Sequence, residues 1–314
     1  MKKISIKIIL LVFILGVQAN IINANNAIID WSGFFDVQHN SYSDSTQVDG
    51  FSWGQFELDI DAKLSEKESI EGAVAYDNEN QTFGLACGLV KILALENIEV
   101  AFGQFDVPVG IDYRDYASMD RPLVSAPLLN MKIYNGWNDL GARVSFENNN
   151  VDGVFYVVNG QDLQANKNTP QSAGGRLATY LLESEIGVSF AKDYTLEDTI
   201  YGADFTYIFS DLNIIAELLN VNNSASNKAY SYYIQTKYDF EKYFIVGRYG
   251  YYEENTSYDR DSDSYKNLAR ISLGIGVKIE SNLEMRLEYQ MNSENGNFQN
   301  KDNNALFLQT VVTF

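Results

Sequence analysis

Residues 56–64 read FELDIDAKL. Phe56, Leu58, Ile60, Ala62 and Leu64 fall on one side of an extended chain, and Glu57, Asp59, Asp61 and Lys63 fall on the other. A two-residue period belongs to a strand with one apolar and one polar face, whereas a helix would scatter both sets around its axis. The pattern returns at 201–209, at 269–279 (ARISLGIGVKI) and at 283–291 (LEMRLEYQM). Followed along the chain, it predicts strands at 28–40, 51–64, 68–77, 82–92, 98–106, 136–147, 151–159 and 174–182. It predicts eight more at 185–193, 200–209, 212–221, 229–239, 242–252, 267–279, 282–292 and 304–314. The strand at 82–92 is the least regular, because Gly84, Gly88 and the order Leu-Val-Lys break its alternation as a β-bulge would.

The connections carry a second pattern. Tight joins such as SEKE, ALEN, LESE, FSDL, DFEK and KIESN alternate with longer polar ones such as SYSDSTQVDG, GQDLQANKNTPQSAG and EENTSYDRDSDSYKN. A soluble sandwich has no reason to collect its long loops at one end of a meander. An outer-membrane barrel does, with short periplasmic turns and long external loops. Lipid offers no hydrogen bonds to a strand edge, so the sheet must close. The fold class expected is therefore all-β, a transmembrane antiparallel β-barrel of sixteen strands. Aromatic content fits this, with 21 Tyr and 18 Phe. Tyr230, Tyr232, Tyr243, Tyr249, Tyr251 and Tyr252 fall near strand ends, where interfacial girdles form.

The first residues, MKKISIKIILLVFILGVQA, have a positive start, a short apolar core and small residues before Ala19. This reads as a secretory signal peptide over 1–19, with an alternative cleavage after 24, leaving a single barrel domain over 20–314. Without Lys2, Lys3 and Lys7 the chain has 20 basic against 42 acidic residues, a net charge of −22. Such a surface is a poor partner for nucleic acid. Cys87 is the only cysteine, which rules out an internal disulfide scaffold. The phase of Phe83, Leu85 and Leu89 assigns it to the lipid-facing set.

The polar faces decide what the interior does. Barrels of sixteen strands leave an aqueous lumen. The pore-lining set read from alternation includes Glu57, Asp59, Asp61, Arg176, Asp204, Glu217, Lys237, Arg248, Arg270, Arg286 and Glu288. Mixed charges are costly in dry protein and tolerable in a wet bore.

Three of the four prolines, Pro108, Pro122 and Pro127, sit in GQFDVPVGIDYRDYASMDRPLVSAPLLN at 103–130. This is the third external loop and the longest connection. Prolines stiffen it, and Ile111, Leu123, Val124, Leu128 and Leu129 give it apolar residues that a solvated loop does not need. It is expected to fold into the lumen over 106–134, with Arg114, Asp115, Asp120 and Arg121 joining Arg143 of the wall as the constriction. An external lid or a subunit contact is the other reading.

Several segments resemble Gram-negative outer-membrane porins, especially the phosphate-selective porin O and P group. They are FGQFDVPVG at 102–110, DRPLVSAP at 120–127, AGGRLATYLL at 173–182, YGADFTYIF at 201–209, LARISLGIGVKIESNLEMRLEYQ at 268–290 and the terminal phenylalanine. The resemblance implies a passive diffusion channel for small hydrophilic solutes and ions in the bacterial outer membrane, without cofactor. It implies contact with membrane lipid and lipopolysaccharide, a homotrimer, and a role for Phe314 as the signal read by the outer-membrane assembly machinery. An anion or phosphate preference is the alternative the group's name suggests, although the acidic balance argues against carrying it over. A structural or adhesive barrel using acidic loops such as 253–267 is a further alternative. No motif supports an enzyme: His39 is the single histidine, no cysteine lies beside it in sequence, and no motif marks a Ser–His pair. No metal-ligating pattern appears.

Overall fold

The computed structural model describes residues 28–44, 47–77, 81–111, 117–134, 136–160, 172–194, 197–223, 228–254, 267–294 and 303–314. The expected leader lies outside these residues, as do Arg114 and Asp115 and most of the acidic loop at 253–267. The strands are β1 (Ile28–Tyr42), β2 (Gly50–Lys63), β3 (Glu68–Asp77), β4 (Thr82–Leu95), β5 (Ile98–Asp106), β6 (Asn138–Glu147), β7 (Val151–Val158) and β8 (Ser172–Leu181). They continue as β9 (Ser184–Asp193), β10 (Asp198–Phe209), β11 (Leu212–Asn223), β12 (Lys228–Phe240), β13 (Tyr243–Glu254), β14 (Asn267–Glu280), β15 (Leu283–Glu294) and β16 (Ala305–Thr313). Each pairs antiparallel with its neighbours in sequence, and β16 returns to β1, closing a sixteen-strand barrel.

Alternation sets the two faces. Val188, Phe190, Ile234, Ile245, Leu273 and Ile275 are exposed on the outside, while Arg176, Asp204, Glu217, Arg248, Arg286 and Glu288 are buried on the opposite face. An exposed apolar exterior over a polar interior suits lipid outside and water or protein inside. Phe190–Tyr201, Tyr232–Tyr249 and Tyr230–Tyr251 pack at the long-loop end, and Tyr238–Phe240 and Phe240–Tyr243 at the short-turn end. These are the two girdles.

Two-residue turns join β8 to β9, β10 to β11 and β12 to β13, and their first residues, Leu182, Ser210 and Glu241, have φ of 55°, 52° and 57°. Such turns require left-handed backbone to match strand twist. The sequence reading made some long joins too long. β11 runs on to Asn223 and β12 begins at Lys228, so much of NVNNSASNKA is strand.

Among the described residues the ladders shift register at four places, and the shifts in β4 at Ala86 and in β2 at Gly54 change which of the expected residues face inward. Ala73 pairs with Cys87 but Val74 pairs with Leu85, so Ala86 is the extra residue. Beyond it the alternation reverses: Phe83 and Leu85 are exposed, whereas Leu89 is buried and Cys87 packs against the interior cluster. The expected lipid-facing position of Cys87 is therefore wrong. Its thiol instead donates to Glu71 Oε1 at 3.5 Å. In the second bulge, Gly54 and Gln55 stand opposite Asp36, whose Oδ1 accepts from the Gln55 N–H at 2.8 Å. A Cβ on Gly54 would lie 1.8 Å from Asp36 Oδ2, so a larger residue there would displace the Asp36 carboxylate. Tyr252 is a further correction to the girdle. Its neighbour Tyr251 takes the outer face, so Tyr252 points inward, is fully buried and donates to Glu254 Oε2 at 3.0 Å.

Candidate functional site

The segment 107–137 joins β5 to β6. Val107, Val109, Ile111, Leu129, Ile133 and Trp137 from this segment form one buried cluster with Ile215, Leu219 and Val221 of β11, Tyr156 of β7 and Tyr233 and Tyr252 of β12 and β13. Leu123 packs separately with Phe244 and Val246 of β13. Near its C-terminal end, Asn130–Tyr134 forms a short π-helical turn.

Among the described residues, polar contacts reach β2, β9, β11, β13 and β15, and Arg270 of β14 meets the Met131 sulfur at 3.6 Å. The Gly110 N–H donates to Ser189 Oγ of β9 and the Ile111 N–H to Glu217 Oε1 of β11, both at 3.0 Å. The Ser118 N–H donates to Gln55 of β2. Ser125 donates from its N–H and its hydroxyl to Glu288 of β15, at 2.8 and 2.7 Å. Arg248 of β13 donates to Ser125 O at 2.8 Å and Ala126 O at 3.1 Å, and Arg286 of β15 to the carbonyls of Ser118 and Met119. Gly110 has a φ of +68°, and a Cβ there would lie 1.5 Å from Glu217 Oε1. Gly110→Val is therefore expected to break both the turn and the Glu217 contact. The checks are a lower thermal midpoint and increased proteolysis within 107–137, with the barrel itself retained.

Arg176 and Asp204 behave differently from the pore-lining expectation. Arg176 forks onto Asp204 at 3.0 and 2.6 Å and also meets Glu185. Both Arg176 and Asp204 are buried. A Cβ on the adjacent Gly187 would lie 2.4 Å from Asp204 Oδ1, so glycine makes the room for this pair. Breaking a buried pair from one side leaves an uncompensated charge, which costs about 3–5 kcal/mol. Arg176→Met is expected to lose about that much, read from urea unfolding in detergent. Double replacement with Asp204→Leu should recover much of it.

The other predicted positions divide into two groups. Lys237 pairs with Asp239 at 2.7 Å, and Arg270 donates to Asn292 Oδ1 at 2.7 Å. These charges are engaged. By contrast, Glu57 has Asp59, Asp106, Asp120 and Glu71 among its charged neighbours, Asp59 has Asp61 and Glu71, and Arg143 borders the same cavity. Asp120 lies beside Arg121 and Arg286, and burial raises its carboxyl above the ordinary value while the two arginines oppose the shift. Arg143 stacks over the Phe105 ring at 5.4 Å. Glu71 is paired with Lys91.

These groups border two cavities. One, of 520 Å³, is lined by Gln55, Glu57, Asp106, Ala117, Asp120 and Asn138 among others. The other, of 250 Å³, includes Glu57, Asp59, Glu71, Cys87, Asp106 and Arg143 in its lining. Phe314 ends the barrel: its N–H and carbonyl pair with Gly33 at 3.0 Å, and its side chain is exposed. Among the described residues no cluster of His, Cys, Asp or Glu has the arrangement of a metal centre. Sequence reading missed the apolar inward patch at Ile215, Leu219 and Val221. The continuous run IIAELLNV, apolar on both faces, is the signal that would have found it.

A closed sixteen-strand barrel with an apolar outer band, aromatic girdles and a charged interior is a porin-like barrel of the bacterial outer membrane. No protein-family model matches the chain, and no curated protein matches it in sequence. Solved structures do match. OmpT in its trimer form, an outer membrane protein of Vibrio cholerae, has a TM-score of 0.69 and 10% identity, over 92% of this chain and 100% of that one. The anion-selective porin from Comamonas acidovorans has a TM-score of 0.67 and 11% identity, over 92% and 100%. OmpF of Salmonella typhi in complex with daunomycin has a TM-score of 0.67 and 9% identity, over 91% and 97%. At these identities the likeness establishes the fold.

Proposed function

We propose that the chain is a passive diffusion channel for small hydrophilic solutes and ions, with no covalent step, and that segment 107–137 narrows its bore. The observation carrying this reading is the set of hydrogen bonds from that segment to polar side chains of β2, β9, β11, β13 and β15, all on the face opposite the lipid-facing residues. A loop bound to that face of so many strands occupies cross-section that a sixteen-strand barrel would otherwise leave to water.

The charge balance favours cations over anions. The bases of the wall are largely engaged by carboxylates or loop carbonyls, while Glu57 and Asp59 have carboxylate neighbours beside the cavities. Fixed like charges along a confined path raise the local concentration of counter-ions. The motif resemblance to the phosphate-selective group is thus read as one of architecture. A homotrimer is part of the proposal, since the similar OmpT structure is a trimer form.

Liposome swelling tests the reading. Vesicles carrying the folded protein should swell in neutral sugars at rates that fall with sugar size. Swelling no faster than that of empty vesicles, from protein shown to be folded, would overturn it.

A further inference from the structure

We propose that Arg248 and Arg286 are positioning residues: a two-point clamp that holds residues 118–126 and so sets the width of the bore. This rests on the reading that segment 107–137 narrows the channel. Alternation alone makes both arginines pore-lining groups that select ions. Their contacts assign them another task.

Both are buried, and each donates to two backbone carbonyls of the same segment as well as to wall side chains, Arg248 to Gln235 Oε1 and Arg286 to Glu284 and Gln309 Oε1. Arg286 reaches Ser118 O and, at 3.2 Å, Met119 O, while its Nε meets Glu284. Arg248 Nη2 reaches Ser125 O at 2.8 Å, Ser125 Oγ at 2.7 Å and Ala126 O at 3.1 Å. The planar guanidinium suits this because its rigid fork can serve several acceptors at once. Glu288 completes the second point. Ser125 accepts from Arg248 with its hydroxyl oxygen and donates the hydroxyl proton to Glu288 Oε1, and its N–H meets Glu288 Oε2. Gln290 steadies Glu288 from the same strand at 2.9 Å. The two points lie on β13 and β15, at either end of the stretch, and Leu123 between them is seated on Phe244 and Val246.

The sequence of the gripped stretch fits the task. Backbone carbonyls are held rather than particular side chains, so the clamp fixes the path of the loop. Pro122 and Pro127 limit the conformations available on release. The barrel ladder does not pass through any of these contacts, so the clamp can be opened without opening the barrel.

The experiment compares single-channel recordings of the wild type, a variant lacking 117–127, Arg248→Gln/Arg286→Gln, and Arg248→Lys/Arg286→Lys. Folding is verified by heat-dependent gel migration. The Gln pair should move conductance towards that of the deletion and add open-channel noise, and the Lys pair should restore part of the wild-type behaviour. Ser125→Ala leaves the wall unchanged and serves if the arginine variants do not insert; it should add noise with a smaller conductance change. If the deletion raises conductance but the folded Gln pair and Ser125→Ala record like wild type, the clamp is wrong and the narrowing stands. If the deletion itself changes nothing, the narrowing fails and the clamp fails with it.

Discussion

Removing residues 117–127 and bridging the gap with a short glycine-serine link raises single-channel conductance roughly twofold or more, with the barrel still folded. The size of the effect follows from what the stretch takes up. It runs between contacts to Gln55 on β2 and to Arg248 and Glu288 on β13 and β15. Those strands bound an arc of six neighbouring positions in the ring, β2, β1, β16, β15, β14 and β13. The deletion removes Leu123 from Phe244 and Val246, which costs burial of apolar surface at roughly 25 cal/mol per Å². It leaves Arg248, Arg286 and Glu288 facing water rather than stranded in protein, so no unpaired buried charge results. Closure through β16 and β1 is untouched. Folded deletion protein with wild-type conductance would remove the segment from any account of pore size.

Reversing the acidic side is the second large effect. Glu57→Lys with Asp120→Lys replaces two carboxyl groups by two ammonium groups at one cavity, a change of up to about four charge units within a screening length of ~10 Å at 0.1 M salt. The reversal potential under a salt gradient is expected to swing from the cation side to zero or beyond. Arg143→Glu alone should push it further to the cation side, because Arg143 borders the same 250 Å³ cavity as Glu57, Asp59 and Asp106. Low salt sharpens both results and molar salt blunts them. An unchanged reversal potential in the folded double variant would remove Glu57 and Asp120 from the selectivity argument.

Much of the fold was written in local alternation. FELDIDAKL, YGADFTYIF and LEMRLEYQM each place one polar face and one apolar face, and the strands formed where that period runs. Where the period is broken the reading failed for a physical reason. One extra residue, Ala86, inverts the side chains that follow it as far as the next register shift at Leu93, so Cys87 and Leu89 turned inward although their spacing from Leu85 suggested otherwise. Adjacent aromatics are ambiguous in the same way, since Tyr251 and Tyr252 must take opposite faces and nothing local says which.

The interior was legible as a list and illegible as a network. Alternation placed Arg176, Asp204, Glu217, Arg248, Arg286 and Glu288 on the inner face. It could not show that Arg176 would be spent on Asp204, or Arg248 on the carbonyls of Ser125 and Ala126, residues more than a hundred positions away. The Arg176–Asp204 pair is set by the register across β8, β9 and β10, and the Arg248 contacts by the path of 107–137, which alternation within one strand does not encode. The apolar residues of the loop were a genuine signal, because Ile111, Leu123 and Leu129 found buried apolar partners on the barrel wall.

The most direct test of the central claim is single-channel recording of the refolded protein, without residues 1–19, in a planar bilayer under a salt gradient. The account predicts discrete steps of open conductance with a reversal potential on the cation side. Silence from protein shown to be a folded, inserted barrel would contradict the claim that this chain is an open diffusion channel.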